Sequence, residues 1–131
     1  MRQEKALSLS PMQTDEPPFN FAGVWKNELG STMTLEQDGD ELSGSYISSV
    51  SGNDDEADGT IKGWVNGEIV SFAVNWTKKA SITTWIGHLV SEGGIDTIET
   101  LWSLATKLAK PADPTDLWDS IFAGADQFTR T

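Results

Sequence analysis

The chain lacks cysteine altogether and has one histidine, His88, among its 131 residues. Without cysteine there can be no disulfide, no thiolate nucleophile and no cysteine-based metal site, and the redox compartment stays undetermined. A single histidine removes most zinc sites and most Ser-His-Asp chemistry. These two absences exclude several common classes of enzyme site.

Basic residues are also scarce. Nine Lys and Arg stand against 20 Asp and Glu, which gives a formal net charge of −11. Nucleic acids and anionic membrane surfaces both require cationic partners, so we expect neither. No apolar run approaches the roughly 20 residues of a transmembrane helix, and "ALSL" near the N-terminus is too short for a signal peptide. The compartment, cytoplasmic or secreted, stays open, as does a processed or recombinant form.

From Phe21 onward the chain consists of short alternating runs separated by turn signals such as Asp38-Gly39 and Asn66-Gly67. The pattern predicts an all-β fold, an eight-stranded antiparallel up-and-down β-barrel over 21–131, preceded by a flexible N-terminal arm at 1–20. A two-sheet sandwich is the structural alternative. The expected strands cover residues 22–28, 31–37, 41–48, 60–65, 68–76, 80–90, 95–104 and 124–130, with an acidic loop at 51–59 and a helical turn capped by Thr115 or Asp116 before the last strand.

The segment "SITTWIG" (81–87) shows what such a strand presents on its two faces. Side chains alternate along a strand, so Ser81, Thr83 and Trp85 share one face. The apolar row on the opposite face consists of Ile82, Thr84 and Ile86, and His88 has the same outward parity. A face meant only for packing should not carry hydroxyls, because each unsatisfied buried polar group costs about 1–3 kcal/mol. The mixed face is typical of a ligand pocket inside the barrel, although any one hydroxyl could instead bond to neighbouring backbone.

Six short segments occur in an order and spacing that resemble the avidin/streptavidin family of biotin-binding proteins. They are GVWKNELGST (23–32), GSYISSV (44–50), FAVNW (72–76), SITTWIG (81–87), TLWSL (100–104) and LWDSIFAGADQFTR (117–130). Each segment is short, and the specificity comes from their combination over about residues 21–130. The resemblance implies an avidin-like barrel that binds biotin with high affinity, catalyses nothing, and uses no cofactor and no metal.

The resemblance also implies which side chains would contact biotin. The ureido oxygen would be held by three donors, Asn27, Ser31 and Tyr46, and the two ureido N–H groups by Ser48 and Asp126. The thiophane sulfur would meet Thr83. The valerate carboxylate would meet Ser81, with Ser51, Gly52 and Asn53 as further candidates. The apolar wall would consist of Trp76, Trp85 and Trp102, with added contact area from Leu29, Val50 and Leu104.

Self-association is a further implication of the resemblance. In the family a tryptophan reaches the pocket of a neighbouring subunit, and Trp118 matches that position. The outward row of Ile82, Thr84 and Ile86 fits an interface better than it fits water. We expect a homotetramer, with a dimer as the alternative.

The acidic loop departs from the family pattern, because its charge lies beside the expected position of a ligand carboxylate. The spacing Asp54-x-Glu56-x-Asp58-Gly59 also resembles the start of an EF-hand calcium loop. The twelfth position is Val65 where a glutamate should bind the metal, so a solvated loop is favoured over a calcium site.

Two other classes of function are weighed against biotin binding. An enzyme could use Asp126 with Ser48 for acid–base work, but the sequence contains no nucleophile elbow or phosphate loop. A lipocalin-like carrier of another small cyclic or apolar ligand would have the same kind of barrel. The polar set of Asn27, Ser31 and Tyr46 fits a fatty ligand poorly. Turnover of a ligand would identify the enzyme, and uptake of a fluorescent lipid would identify the carrier.

Overall fold

The structure is a computed structural model that describes residues 1–49, 57–107 and 119–131. Eight antiparallel strands pair in sequence order and β8 pairs with β1, so the sheet closes into a barrel. This confirms the all-β barrel, and the sandwich alternative is wrong. The strands are β1 (Gly23–Asn27), β2 (Thr32–Asp38), β3 (Glu41–Ser48), β4 (Ala57–Asn66), β5 (Ile69–Trp76), β6 (Ser81–Glu92), β7 (Ile95–Thr106) and β8 (Ile121–Arg130).

Up-and-down connectivity gives the barrel two distinct ends. We call the end where β1 stops and β2 starts the upper end; it also holds the connection between β5 and β6. The lower end holds the tight turns β2–β3, β4–β5 and β6–β7. Gly39 and Gly67 lie in two of these turns with φ of 62° and 60°, a left-handed conformation that favours glycine. The hairpins expected at Asp38-Gly39 and Asn66-Gly67 are therefore confirmed.

The lower half of the barrel interior is a solid apolar core. Fully buried rings and aliphatic side chains fill it, among them Phe21, Trp25, Met33, Ile98 and Phe128. The indole Nε1 of Trp25 donates to the backbone oxygen of Phe21 at 2.9 Å, so its polar atom is satisfied within this core. The alternation of buried and exposed residues in β6, in which Thr83 and Trp85 point inward and His88 outward, is the predicted one.

Arg130 closes the lower end. Its guanidinium lies 4.4 Å from the ring centroid of Trp25, and its Nη1 and Nη2 donate to the backbone oxygens of Ala22 and Asn20 at 2.7 and 2.8 Å. Its Nε is 3.3 Å from an oxygen of Asp96. Through the cation–π contact and the two hydrogen bonds to carbonyls, Arg130 links β8 to β1 and to the residues that precede it.

The N-terminal segment contains a short helix that the sequence analysis did not predict. Helix α1 (Gln3–Ser8) buries none of its residues. Phe19 behaves differently: its amide donates to the oxygen of Gly67 at 2.9 Å, and its ring packs against the core. The packed part of the chain therefore starts at Phe19, within the segment assigned to the arm. The described residues contain no helix long and apolar enough to cross a membrane.

Several strand limits differ from the predicted ones. β4 begins at Ala57, not at residue 60, because its first residues pair with β3 through Ser48–Ala57 and Tyr46–Gly59. The last three residues of the segment taken as an acidic loop are thus strand. β8 begins at Ile121, not at residue 124, because it pairs with β7 from Ala105 onward. The expected helical turn at Thr115 or Asp116 lies outside the described residues.

Candidate functional site

A layer of stacked rings separates the solid core from the upper end. Trp85 stacks on Tyr46 with centroids 5.1 Å apart and on Phe72 at 5.2 Å. Phe128 meets Tyr46 edge-on at 6.2 Å, and Trp76 meets it edge-on at 5.5 Å. Offset stacks and edge contacts of this kind fix ring positions. The upper end therefore has a rigid aromatic floor.

Asn27 builds the turn between β1 and β2 and also faces the interior. Its Oδ1 accepts the amides of Leu29 and Ser31 at 3.1 and 2.9 Å, which is the local bonding that makes asparagine a turn residue. Because the oxygen is held by the turn, the amide nitrogen is the group presented inward. Nδ2 donates to the hydroxyl of Tyr46 at 3.4 Å, a long contact that leaves donor capacity unused.

Ser31 and Tyr46 complete a group of hydroxyl and amide donors with Asn27. Ser31 is buried, its Oγ accepts the amide of Ser49 at 3.0 Å, and its own amide donates to Oδ1 of Asn27 at 2.9 Å. Burial raises the pKa of the Tyr46 phenol far above its ordinary value, and the charge of Asp126 adds to the effect. The phenol therefore keeps its proton over the physiological range and acts as a donor.

Asp126 lies on the inner face of β8 and is half-buried. Its Oδ2 accepts the indole Nε1–H of Trp85 at 2.9 Å, and the hydroxyl of Thr100 donates to its backbone oxygen at 2.9 Å. Burial raises the pKa of this carboxyl, the Trp85 hydrogen bond opposes the rise, and Glu28 increases it. The site thus has an oriented carboxyl opposite the donor group.

Thr83 and Trp76 form the wall between β5 and β6. The indole of Trp76 donates to Oγ1 of Thr83 at 2.9 Å. Leu104 pairs with Thr83 across β6 and β7, and Ser81 lies two residues before Thr83 with the same parity, so both belong to this inner face. Leu104 and Ser81 are half-buried.

Trp102 is the cross-strand partner of Trp85 and packs against the core. Its indole lies on Gly124, where a Cβ would come within 2.6 Å of Cζ2 of the ring. Only a residue without a side chain allows this approach. The structure therefore uses Gly124 to set the position of the Trp102 indole.

Most of the predicted site residues come together at the upper end. Asn27, Ser31, Tyr46, Trp85 and Asp126 form one connected set of hydrogen bonds and stacked rings, which Ser31 joins through its amide bond to Asn27. Ser48 is half-buried at the end of β3. Leu29, which the resemblance placed in the pocket, is 74% exposed and does not join this set, because it lies in the turn between β1 and β2, next to Gly30 with φ of 87°. The other predicted residues, Val50, Ser51, Gly52, Asn53 and Trp118, lie outside the described residues.

Three residues at the site were missed by the sequence analysis. Thr100 and Phe128 share strand faces with Trp102 and Asp126, so the two-residue period contained the signal. Glu28 gave no such signal, since it lies beyond β1 in a turn. Its Oε2 accepts the amide of Gln127 at 3.0 Å, a contact between positions 99 residues apart.

The arrangement suits a small ligand that offers a carbonyl oxygen on one side and N–H groups on the other. Donors converge from Asn27, Ser31 and Tyr46, an acceptor stands at Asp126, and rings supply the remaining surface. In the described ranges no group of three or more His, Asp or Glu side chains could hold a metal ion. Of the residues in the calcium spacing, Asp54 and Glu56 lie outside the described residues, and Asp58 and Gly59 lie in β4. The fold and site together define a ligand-binding barrel.

Comparison with known proteins identifies the family. Residues 15–131 match the family model of the Avidin family. Avidin from Gallus gallus is 28% identical over 121 residues, which cover 85% of this chain and 78% of avidin. The crystal structure of Xenavidin has a TM-score of 0.73 at 30% identity over 86% of this chain and 97% of that chain. The rhizavidin–biotin complex has a TM-score of 0.72 at 28% identity, with 86% and 97% covered.

The chain belongs to the Avidin family, and the resemblance seen in its sequence is confirmed. Proteins of this family are non-catalytic binding proteins, so the alternative of an enzyme is set aside. The family as a whole binds biotin.

Proposed function

We propose that this protein binds biotin at the upper end of its barrel with high affinity and without chemistry. The observation that carries the proposal is the convergence of the Asn27, Ser31 and Tyr46 donors opposite the carboxyl of Asp126, over a floor of stacked rings. Biotin offers the complementary groups, since its ureido ring has one carbonyl oxygen between two N–H groups.

The donor group favours a strongly polarised carbonyl. Three donors on one oxygen draw electron density toward it, and an acceptor on the adjacent N–H groups supports the same polarisation. The raised pKa of Tyr46 keeps its O–H available. In the proposed complex, Asp126 and Ser48 accept the ureido N–H groups, and Thr83 and Ser81 meet the sulfur and the carboxylate.

Rigid walls account for the expected affinity. Hydrogen bonds to Thr83 and Asp126 hold the indoles of Trp76 and Trp85, and the indole of Trp102 packs directly on Gly124. These rings are therefore positioned before the ligand arrives. A preorganised site loses little conformational entropy on binding. The rhizavidin–biotin complex, similar in sequence and fold, supports biotin as the ligand.

Calorimetric titration with biotin tests the proposal. We expect one site per chain, and Asn27→Ala and Ser31→Ala should weaken binding. Thr34→Ala is the matched control, because Thr34 is exposed on β2, the strand that follows Ser31. Absence of heat and of dye displacement would overturn biotin as the ligand, and other cyclic ureas and fluorescent lipids would then be screened.

We further propose that the outer face of β5–β8 mediates self-association. Three rows of paired residues cross all four strands: Ser71, Ile86, Leu101 and Ala125; Ala73, Thr84, Ser103 and Ala123; and Asn75, Ile82, Ala105 and Ile121. The middle row is small, while Ile86 and Leu101 are 59% and 66% exposed. An apolar face of this kind with a polar rim at His88 and Glu99 is typical of an interface.

Sedimentation velocity tests this association. We expect an oligomer built on dimers, with a homotetramer favoured over a dimer, and Leu101→Lys should dissociate it because a charge would be buried in the interface. Glu36→Lys, at an exposed position of β2 away from this face, is the control. A wild-type monomer at micromolar concentration would contradict the proposal.

A further inference from the structure

Phe122 is an aromatic residue of the upper end that points into the barrel. It pairs with Leu104 across β7 and β8, and residues that lie directly opposite in an antiparallel pair project from the same face of the sheet. The period of two places Phe122 on the same side of β8 as Gly124, Asp126 and Phe128. Its side chain therefore belongs to the inner face at the start of β8.

Exposure distinguishes Phe122 from the other inward phenylalanines. Phe72 and Phe128 are 2% and 0% exposed and belong to the stacked rings of the floor. Phe122 is 54% exposed, and within the described part of the chain its ring contacts no other aromatic ring. The inner face thus keeps an apolar ring uncovered at the upper end, where a ligand can cover it.

Phe122 lies nearer the mouth of the pocket than the groups that would hold a ring head. Three inward rows cross β6, β7 and β8 toward the mouth: Gly87, Thr100 and Asp126; Trp85, Trp102 and Gly124; and Thr83, Leu104 and Phe122. Four residues separate Asp126 from Phe122, about 13 Å along the strand. A compact ring bonded to Asp126 therefore lies below Phe122, and a chain that extends from this ring toward the mouth passes beside it.

The lining changes from polar to apolar and back along this path. Phe122 and the half-buried Leu104 offer no hydrogen bond to a ligand, so a polar group placed beside them would lose its water without compensation. Ser81, the residue on the inner face of β6 nearest the mouth, supplies a hydroxyl above this row. The sequence of surfaces from Asp126 to Ser81 matches a polar head, an apolar chain and a polar end.

We propose that Phe122 is a specificity-determining residue that selects ligands with an aliphatic chain between a ring head and a polar end. The inference rests on the proposed function and extends it from the head of the ligand to its chain. In the complex, the chain passes over the ring of Phe122 and the side chain of Leu104, which removes apolar surface of both partners from water. Biotin carries such a chain on its ring system.

The experiment compares two ligands by dye competition: biotin, and its bicyclic ureido head without the chain. Phe122→Ala removes most of the contact with the chain, so it should weaken biotin binding about tenfold and leave the affinity for the head unchanged. Phe122→Leu keeps an apolar side chain and should recover most of the loss. Ile47→Ala is the control, because Ile47 is 47% exposed on the outer face of β3 at the same end, and it should change neither affinity.

A second measurement uses NMR of the biotin complex. The ring protons of Phe122 should show cross-peaks to the chain methylenes and none to the ureido N–H groups. If biotin binds but Phe122→Ala leaves its affinity unchanged, or weakens both ligands equally, the role of Phe122 is overturned and the proposed function stands. Cross-peaks to the ureido N–H groups alone would have the same meaning. If the wild type binds neither ligand, the proposed function is overturned and the role of Phe122 with it.

Discussion

The two ends of the barrel share eight strands and one alternation of side chains, yet their interiors differ in kind. At the lower end the inward residues are Phe21, Trp25, Met33 and Ile98, all fully buried. At the upper end the same alternation places Asn27, Ser31 and Asp126 beside tryptophans. One end is a packed core, and the other is a set of placed polar groups on an aromatic floor.

The difference shows that the two ends of one barrel interior have separate roles, stability at the lower end and ligand recognition at the upper end. At the lower end, apolar burial is the dominant stabilising term. At the upper end, the polar groups bond mainly to one another and to the turn backbone, and in the described part of the chain every buried polar side-chain atom has a partner. These groups keep donor and acceptor capacity for a ligand. The four changes below test this separation, from the largest expected effect to the smallest.

Trp25→Ala should cause the largest loss of stability. It leaves a large cavity in the lower core and removes the ring under Arg130, so the free energy of unfolding should fall by about 3–5 kcal/mol. Urea denaturation measures the change. The folded fraction should still bind one biotin per chain, because the change lies below the ring floor.

Trp64→Ala is the matched control, since Trp64 is 60% exposed on the outer face of β4. Its cost should stay within about 0.5 kcal/mol. Equal losses from the two tryptophans would contradict the role of the lower core, and loss of biotin binding in folded Trp25→Ala protein would contradict the separation of the two ends.

Tyr46→Phe should act mainly on binding. It removes one donor and keeps the ring stacked on Trp85, so biotin affinity should fall about tenfold or more while the free energy of unfolding changes by less than about 1 kcal/mol. Competition binding and urea denaturation give the two values. Thr34→Val, which removes an exposed hydroxyl on β2, should change neither. Unchanged affinity in Tyr46→Phe would exclude the phenol as a ligand donor.

Gly124→Ala should displace the indole of Trp102. The added methyl would lie within 2.6 Å of the ring, and we expect about 1 kcal/mol of lost biotin affinity, at the low end of overpacking costs. Trp102→Phe supplies a smaller ring. In that background the same Gly124→Ala change should cost less, and an identical cost in both backgrounds would show that the two residues are not coupled.

Asp126→Asn should have the smallest effect, a change in how stability depends on pH. Burial and Glu28 raise the native pKa of Asp126 above its ordinary value of 3.8, so the native state binds more protons than the unfolded one between the two pKa values. The contribution of this group to stability is therefore full below the ordinary value and is lost as pH rises through the native pKa. Relative to the wild type, Asp126→Asn should gain stability from acid to neutral pH in urea titrations. A difference that does not vary with pH would contradict the raised pKa.

The fold and much of the candidate site follow from the period of two in the sequence. That period placed Thr83 and Trp85 inside and Ile82 and Ile86 outside, because each strand of this barrel has one buried face. Turn pairs such as Asp38-Gly39 located the hairpins, because a left-handed residue is required there. These features depend on neighbours in the sequence and were predictable for that reason.

The remaining features depend on contacts between distant residues. Leu29 was assigned to the pocket by resemblance, but it lies in the turn between β1 and β2, and its side chain is exposed. The early start of β8 depends on pairing with β7, and the contact of Glu28 with the amide of Gln127 depends on closure of the barrel between β1 and β8. A local pattern does not contain such information.

The central claim is that ligand recognition belongs to the upper end alone, and the indole N–H signals in ¹⁵N NMR test it most directly. Trp76 and Trp85 donate to Thr83 and Asp126 at the upper end, while Trp25 donates to Phe21 in the lower core. On addition of biotin we expect the Trp76 and Trp85 signals to move and the Trp25 signal to stay in place. Movement of Trp25 alone, or of none of the three, would contradict the account.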